Sequence, residues 1–462
     1  MQPKEIFQRT REISERDPKG PRFVSDYLEL IDLFKKLERP GRVRECLQIL
    51  HREYPDNPDV MKAFNEFQTE FPIYNSPDIS LRPPQVLLIG SFLGMNGNVG
   101  DEAAAIAVRD AMLKRNPFCS FKLLTRTQPQ YLEDDLFSLR ELGWAILEDL
   151  KRAVKVAIVV GGGVVEPGPT SVQSCLSLIE KKSKIPIVWL GVNADPSSRY
   201  SATERQSIKE SLQRCDRVIA RNRFSQDFLK SLAPNMKIEL CADVTLLLKP
   251  EESYMNFGFG QAIGLNLRSL WLTTDFITKM ADLCDLLIEK RNAKIIFFPF
   301  SRISDIDLQS AEGVRSRLRH PERMEIVERF LPPKQMLDAI SKIDFMISMR
   351  LHPSVFAFAN RIPFAGIAYH RKVEDFCEHY ADENHCLYRH YPKGGDSSFG
   401  TFSDSKFPSA DELYEKVSYL MDYPRKYQPE GARAQLDQII SQISAQYGLS
   451  EDAKSRIHSV IT

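Results

Sequence analysis

No run in this 462-residue chain reaches the roughly 18 apolar residues from which a membrane-spanning helix is read. The opening segment, MQPKEIFQRTREISERDPKG, is charged along its length and has no apolar stretch of the kind a secretory signal carries. Neither charge is in excess. Lysine plus arginine total 62 and aspartate plus glutamate total 62, so no extended field exists to hold nucleic acid or an anionic bilayer, and an anionic ligand must be gripped by a local cluster. The cysteines, Cys46, Cys119, Cys175, Cys215, Cys241, Cys284, Cys377 and Cys386, form no CxxC pair and have no histidine at metal-ligand spacing. These absences point to a reduced, cytoplasmic protein with no transmembrane segment, no metal site and no nucleic-acid partner.

Two kinds of hydrophobic periodicity are present. Between Ser25 and Phe71, DYLELIDLFKKL and RVRECLQILHREY, separated by a Pro-Gly break and followed by PDNPD, have the spacing of amphipathic helices in a tetratricopeptide-like unit. Only about one and a half repeats are there, whereas a free-standing array needs about three. Residues 1–84 are therefore expected to form a helical extension that packs on its neighbour through the joint Pro72–Pro84. It serves either as a cap or as a groove for a protein partner.

Beyond Gln85 the pattern becomes short aliphatic strands alternating with helices: QVLLIG, FKLLTR, KVAIVVGGG, IPIVWLG, DRVIAR and KIELCAD. Strands apolar on both faces imply a parallel sheet covered on both sides. KPEESYMNFGFG interrupts this rhythm, and a second series follows with QAIGLNLR, KIIFFPF, MEIVERF, DFMISMR and PFAGIAY. The expected fold is α/β: two doubly wound Rossmann-like domains, residues 85–255 and 256–425, with a cleft between them. Residues 426–462 read as C-terminal helices that cross back onto the first domain by analogy with related two-domain folds.

In such sheets ligands bind beyond the carboxyl ends of the strands. Those positions hold GMNGNVGDE, GGGVVEPGP, GVNADP, RNRFS, DVT, NLR, FSRISD, MRLH and YHRK. A long polar run, RHYPKGGDSSFGTFSDSKF from Arg389 to Phe407, has the length of either a lid or a disordered loop.

Several of these pieces, in this order, resemble the polysaccharide pyruvyl transferase family: NGNVGDEA from Asn96, the glycines Gly161 to Gly163, ARNRFS from Ala220, ADVT from Ala242, and SMRLHPSVFAFANRIPFAGIAYHRKVEDF from Ser348 to Phe376. The resemblance runs from Gln85 to the low 400s and leaves the N-terminal helices outside it. It implies a two-domain, GT-B-like fold whose members move pyruvate from phosphoenolpyruvate onto a sugar as a ketal. It also implies a donor-binding role for Arg221, Arg350 and His352, with phosphoenolpyruvate as co-substrate, a sugar or glycan-lipid acceptor, and no cofactor.

The residues can be asked whether they suit that chemistry. Phosphoenolpyruvate carries a phosphate and a carboxylate close together, and arginine's planar fork matches both. Arg221, Arg350 and Lys372 follow expected strands, and Arg268 is a fourth candidate. Protonation of the methylene carbon needs an acid, for which His352 is the candidate, although it could instead only hydrogen-bond the phosphate. His370 lies in the same segment as Lys372 and has a weaker claim.

The GxxGxxG spacing from Gly94 to Gly100 differs from a dinucleotide fingerprint. Asp101 and Glu102 fall in a first helical turn, where carboxylates suit the helix dipole but repel phosphate. This turn is therefore read as the acceptor side, with Asn98 facing sugar hydroxyls and Asp101 a candidate base, or else as a capped helix start. Gly162 and Gly163 offer backbone amides to either ligand, and Asp243 either orients an arginine or lines the cleft. Two further functions compete with pyruvyl transfer: a nucleotide-sugar glycosyltransferase on the same architecture, and a non-catalytic metabolite-binding scaffold recruited through the N-terminal helices.

Overall fold

A computed structural model describes residues 23–36, 54, 56–70, 85–90, 98–116, 119–125, 136–138, 154–161, 185–194, 200–258, 260–268, 273–301, 306–327, 331–390 and 407–449, with isolated positions between 43 and 50. The joint at 71–84, Gly162, Gly163 and the polar run at 391–406 lie outside the described residues.

The N-terminal part contains α1 (Phe23–Lys36) and α2 (Pro58–Glu70). Leu30, Ile31 and Leu33 of the first helix, Val60 and Phe67 of the second, and Val43, Cys46, Leu47 and Leu50 between them close a separate apolar cluster.

The first α/β domain contains β1 (Val86–Gly90), α3 (Val99–Leu113), β2 (Phe121–Thr125), β3 (Leu136–Ser138), β4 (Val156–Val160), β5 (Ile187–Val192), α4 (Ala202–Gln213), β6 (Arg217–Ala220), α5 (Arg223–Leu232) and β7 (Ile238–Leu240). The second contains β8 (Ala262–Asn266), α6 (Thr274–Arg291), β9 (Lys294–Phe297), α7 (Ile306–Arg315), β10 (Met324–Ile326), α8 (Pro333–Ile340), β11 (Phe345–Ser348), α9 (Leu351–Ala359), β12 (Phe364–Ala368), α10 (Arg371–Tyr380) and β13 (Cys386–Arg389). Two helices follow, α11 (Ala410–Asp422) and α12 (Pro429–Gln446).

The strand orders are β3-β2-β1-β4-β5-β6-β7 and β10-β9-β8-β11-β12-β13, with every pair parallel. Alternation along the strands explains why both faces of the first sheet are apolar. Val86, Leu88, Ile158 and Leu190 join the core beneath α3. Their neighbours Leu87, Ile89, Val159 and Trp189 join a second core under α4 and α5.

In both sheets the chain reverses direction of growth beside the first strand, between β1 and β4 and between β8 and β11. Crevices for ligands open at such points. The first core continues without a break from the first sheet through α3 into the second domain.

Polar ties reinforce the junction. Val99 N–H donates to the Phe300 carbonyl at 3.0 Å, Asn98 forms an antiparallel bridge with Ser301, and Lys334 Nζ lies 2.7 Å from Asp110 Oδ2. Helix α12 returns to the first domain, where Asp437 pairs with Arg115 at 2.9 Å. Arg433 of the same helix donates to the carbonyls of Leu246 and Ala359, one in each domain, at 3.0 and 2.8 Å. No described helix is long and apolar enough to cross a membrane.

Candidate active site

The strand ends of both domains face one another at this junction, and each candidate there is held by a local device. Arg221 follows β6, and its Nη1 donates to Asp243 Oδ2 at 3.0 Å. Asp243 follows β7, and its other oxygen accepts from the Thr245 amide and hydroxyl at 3.0 and 2.7 Å. Of the two readings open for Asp243, it therefore orients the arginine. Arg221 Nε is buried with no hydrogen-bond partner among the described residues, and a buried guanidinium N–H in that state is costly unless a ligand accepts from it.

From the second domain, Arg350 caps the N-terminus of α9 just after β11. Its Nε and Nη2 grip Asp307 bidentately, with Nη2 at 2.6 Å from Oδ1. Asp307 is fully buried and also accepts from the amides of Phe300 and Ser301 at 2.9 and 3.1 Å. The Arg350 backbone N–H donates to Asn266 Oδ1 at 3.2 Å. The guanidinium is thus fixed along one edge, which leaves Nη1 as the part of its fork available to a ligand. Asp307 was not among the residues expected from the sequence.

His352, in the first turn of α9, lies between the two domains. Its Nε2 is 3.9 Å from Asp243 Oδ2, too far for a hydrogen bond. Its other side rests on Gly100 of α3. A Cβ built there would fall 1.8 Å from His352 Nδ1, and the next nearest atoms also belong to the imidazole. Glycine at this position is a seat for the ring.

Burial lowers the imidazole pKa to about 4; Asp243 opposes this, while Arg221, Lys372 and Arg350 add to it. The histidine is therefore neutral at pH 7. Asp243, despite burial that favours its neutral form, is held ionised by Arg221 and by the Thr245 bonds.

Lys372 and Arg268 flank Tyr369, which follows β12. Arg268 Nη1 lies 3.3 Å from the phenol oxygen and its Cζ 5.3 Å from the ring centroid, while Lys372 Nζ is 5.9 Å from the same centroid. Burial alone would raise the phenol's pKa, but Lys372, Arg268 and Arg350 outweigh it and bring it to about 8. Tyr369 lies within the segment Ser348–Phe376, and nothing in the sequence alone marks it for a role.

The first turn of α3 is satisfied within the chain. Asn98 Oδ1 accepts from Gly100 N at 3.0 Å, and the Asp101 and Glu102 amides donate to the Asn98 carbonyl. Asn98's side-chain oxygen is therefore spent on the helix cap, and no amide of this turn remains for a phosphate. Glu102 is turned into the core. Asp101 stays partly exposed and close enough to Arg350 to act on its charge.

His370 caps α10, with Nδ1 accepting from Lys372 N at 3.2 Å. Gly161, which holds φ +101 at the end of β4, is the described member of the triple glycine. Among the described residues no group of three or more His, Cys, Asp or Glu is placed to hold a metal ion. The structure thus brings Arg221, Arg350, His352, Lys372, Arg268 and Asp101 to one junction; Gly162 and Gly163 lie outside the described residues.

Comparison with known proteins adds three findings. No curated protein matches the sequence. Among solved structures, a UDP-GlcNAc 2-epimerase from Methanocaldococcus jannaschii is similar, with TM-score 0.51, 12% identity and coverage of 78% of this chain and 99% of that one. So is S. aureus MnaA with UDP, at TM-score 0.51, 11% identity, and 79% and 97% coverage. At such identities the likeness shows the fold alone, a GT-B-like pair of parallel-sheet domains. A family model described as polysaccharide pyruvyl transferase matches residues 98–371, more than half of the 462-residue chain, and takes in Asp101, Arg221, Arg268, Arg350, His352 and Tyr369, with Lys372 one position beyond it. By that match, the chain belongs to the polysaccharide pyruvyl transferase family.

Proposed function

We propose that this protein transfers a pyruvyl group from phosphoenolpyruvate to two hydroxyls of one sugar in a glycan precursor, forming a ketal. The observation that carries the reading is the convergence of Arg221, Arg350 and Lys372 on a buried imidazole, with Arg268 beside Tyr369 next to them, in a chain with no net charge. Three cations beside a buried histidine, two of them held by Asp243 and Asp307, suit a small ligand with two anionic groups. The first domain contributes Arg221 and, through Gly100, the support of His352; the second contributes the remaining cations. Asp101, at the edge of this group, is the base for the acceptor's second hydroxyl and passes that proton on to the departing phosphate. The N-terminal helices, with their own core, provide a tetratricopeptide-like surface for a protein partner.

The direct test is to incubate the protein with phosphoenolpyruvate and a panel of hexose acceptors, following inorganic phosphate and product mass together. Phosphate release coupled to a product heavier by one pyruvyl ketal is expected. Release of neither with any acceptor overturns the reading, and transfer of sugar from a nucleotide donor replaces it with glycosyl transfer.

A second expectation concerns protons. His352 is neutral at pH 7 when free, because its pKa lies at about 4, and a bound dianion raises that value by Coulomb attraction. Binding of phosphoenolpyruvate at pH 7 should therefore take up protons, approaching one per site. Calorimetric titration in buffers of different ionisation enthalpy measures this directly. Uptake should vanish in His352→Gln; equal uptake in parent and variant would remove the imidazole from the anion site.

A further inference from the structure

Tyr369 is a phenol placed among three basic side chains. The residue is 5% exposed, with Arg268 Cζ at 5.3 Å and Lys372 Nζ at 5.9 Å from the ring centroid, and the charge of Arg350 also acts on it. A side chain needed only to fill this space would be served by phenylalanine, since burying a hydroxyl is costly without partners. Here the phenol oxygen accepts from Arg268 at 3.3 Å, which leaves the phenol's own proton to be donated. The residue follows β12, the strand next to the edge strand β13, two positions before the helix that carries Lys372. Nothing in the pyruvyl-transfer reading so far uses it.

We propose that Tyr369 is the acid that protonates the methylene carbon of phosphoenolpyruvate, an inference that rests on the pyruvyl-transfer reading above. The phenol O–H bond breaks, a C–H bond forms at the methylene carbon from the electron pair of the double bond, and positive charge develops at the adjacent carbon, shared with its ester oxygen. The first sugar hydroxyl bonds to that carbon and its proton returns to the phenolate. The bond from that carbon to the phosphate oxygen then breaks, the second hydroxyl closes the ketal, and its proton leaves on the phosphate. Two hydroxyl protons are released; one ends in the new methyl group and the other on the departing phosphate.

The phenol suits this step better than the imidazole. His352 is neutral in the free site, because burial and the surrounding cations hold it so, and the proton it takes up on donor binding is held there by the phosphate charge that draws it in. The phenol keeps its proton at that pH, and the phenolate left after transfer is stabilised by Lys372, Arg268 and Arg350. Asp307 is bound to Arg350 and Asp101 acts on the same guanidinium; these two carboxylates temper that stabilisation without removing it. His352, charged only once the dianion is bound, is then left to hold the phosphate.

Tyr369→Phe keeps the ring under Arg268 and removes the proton. Its kcat should fall about a hundredfold or more, while the affinity for phosphoenolpyruvate measured by calorimetry stays within about threefold. The parent's kcat/KM should decline on the alkaline side as the phenol ionises near pH 8, and the residual rate of the variant should lack that limb. Turnover of Tyr369→Phe close to the parent's overturns the proposal. So does a large loss of donor affinity with kcat unchanged, which would mean that the phenol only positions Arg268.

A substrate-free measurement separates this inference from the reading on which it rests. In a near-ultraviolet titration of the parent, one tyrosine of the 15 in the chain should ionise near pH 8 and be missing from Tyr369→Phe. If the parent turns over no phosphoenolpyruvate, pyruvyl transfer fails whatever Tyr369 does. If turnover is present but this ionisation is absent, the assignment of the acid fails alone.

Discussion

Gly100→Ala is expected to remove most of the catalytic activity while leaving the helix that carries it intact. Alanine is a better helix former than glycine, so α3 itself gains from the change. The obstacle is the imidazole. The added Cβ would meet His352 Nδ1 at 1.8 Å and the neighbouring ring carbons at 2.1 and 2.4 Å, so His352 must leave its place or the two domains must part. Displacing the imidazole proposed to hold the donor should cost about a hundredfold or more in turnover, and overpacking the junction should cost about 1–3 kcal/mol in stability.

A cycle with His352→Ala checks the cause. Once the imidazole is gone, the three nearest obstacles to the Cβ are gone with it, so Gly100→Ala should then be neutral or slightly stabilising in thermal unfolding. The double variant should also be no slower than His352→Ala alone. Full activity in Gly100→Ala would show that the ring is free to move without consequence.

The second large effect is one of stability. Asp307→Ala leaves the buried Arg350 guanidinium without its counter-charge and orphans the Phe300 and Ser301 amides. Breaking a buried ion pair from one side typically costs about 3–5 kcal/mol, and this pair carries two further hydrogen bonds. The loss should appear as a lower denaturation midpoint. Adding Arg350→Met to Asp307→Ala should recover part of the stability, because the unpaired charge is gone, while donor binding stays lost. A loss below about 1 kcal/mol, the scale of an exposed pair, would mean that water reaches Asp307 and that the guanidinium is not held as described.

Much of the fold was legible because it rests on local pattern. VLLIG, VAIVV and IVWLGV are apolar at every position or nearly so, which only a strand covered on both faces tolerates, and each became a central strand of the first sheet. The strands not foreseen are β3, LFS, and β13, CLYR. Both lie at the end of a strand order, with one neighbour each, and such edges carry short mixed segments with little periodic signal. Arg221, Arg350 and Lys372 could be picked out because each follows a readable strand. Asn98 and His370 are residue types that suit both ligands and helix caps, and composition could not separate those uses.

Alternation of apolar strands with amphipathic helices, read along the chain, was enough to specify a pair of parallel-sheet domains and to place the basic residues at their strand ends. That much is local, because strand and helix periods are written in neighbouring residues. Which carboxylate holds which cation was decided only in three dimensions: Asp307 reaches Arg350 across 43 positions, Tyr369 meets Arg268 across 101, and His352 finds its seat on a glycine of the other domain. Charge state follows from those meetings. A histidine becomes neutral and a phenol more acidic through burial and the summed field of side chains from separate segments, and no spacing within one segment encodes that sum.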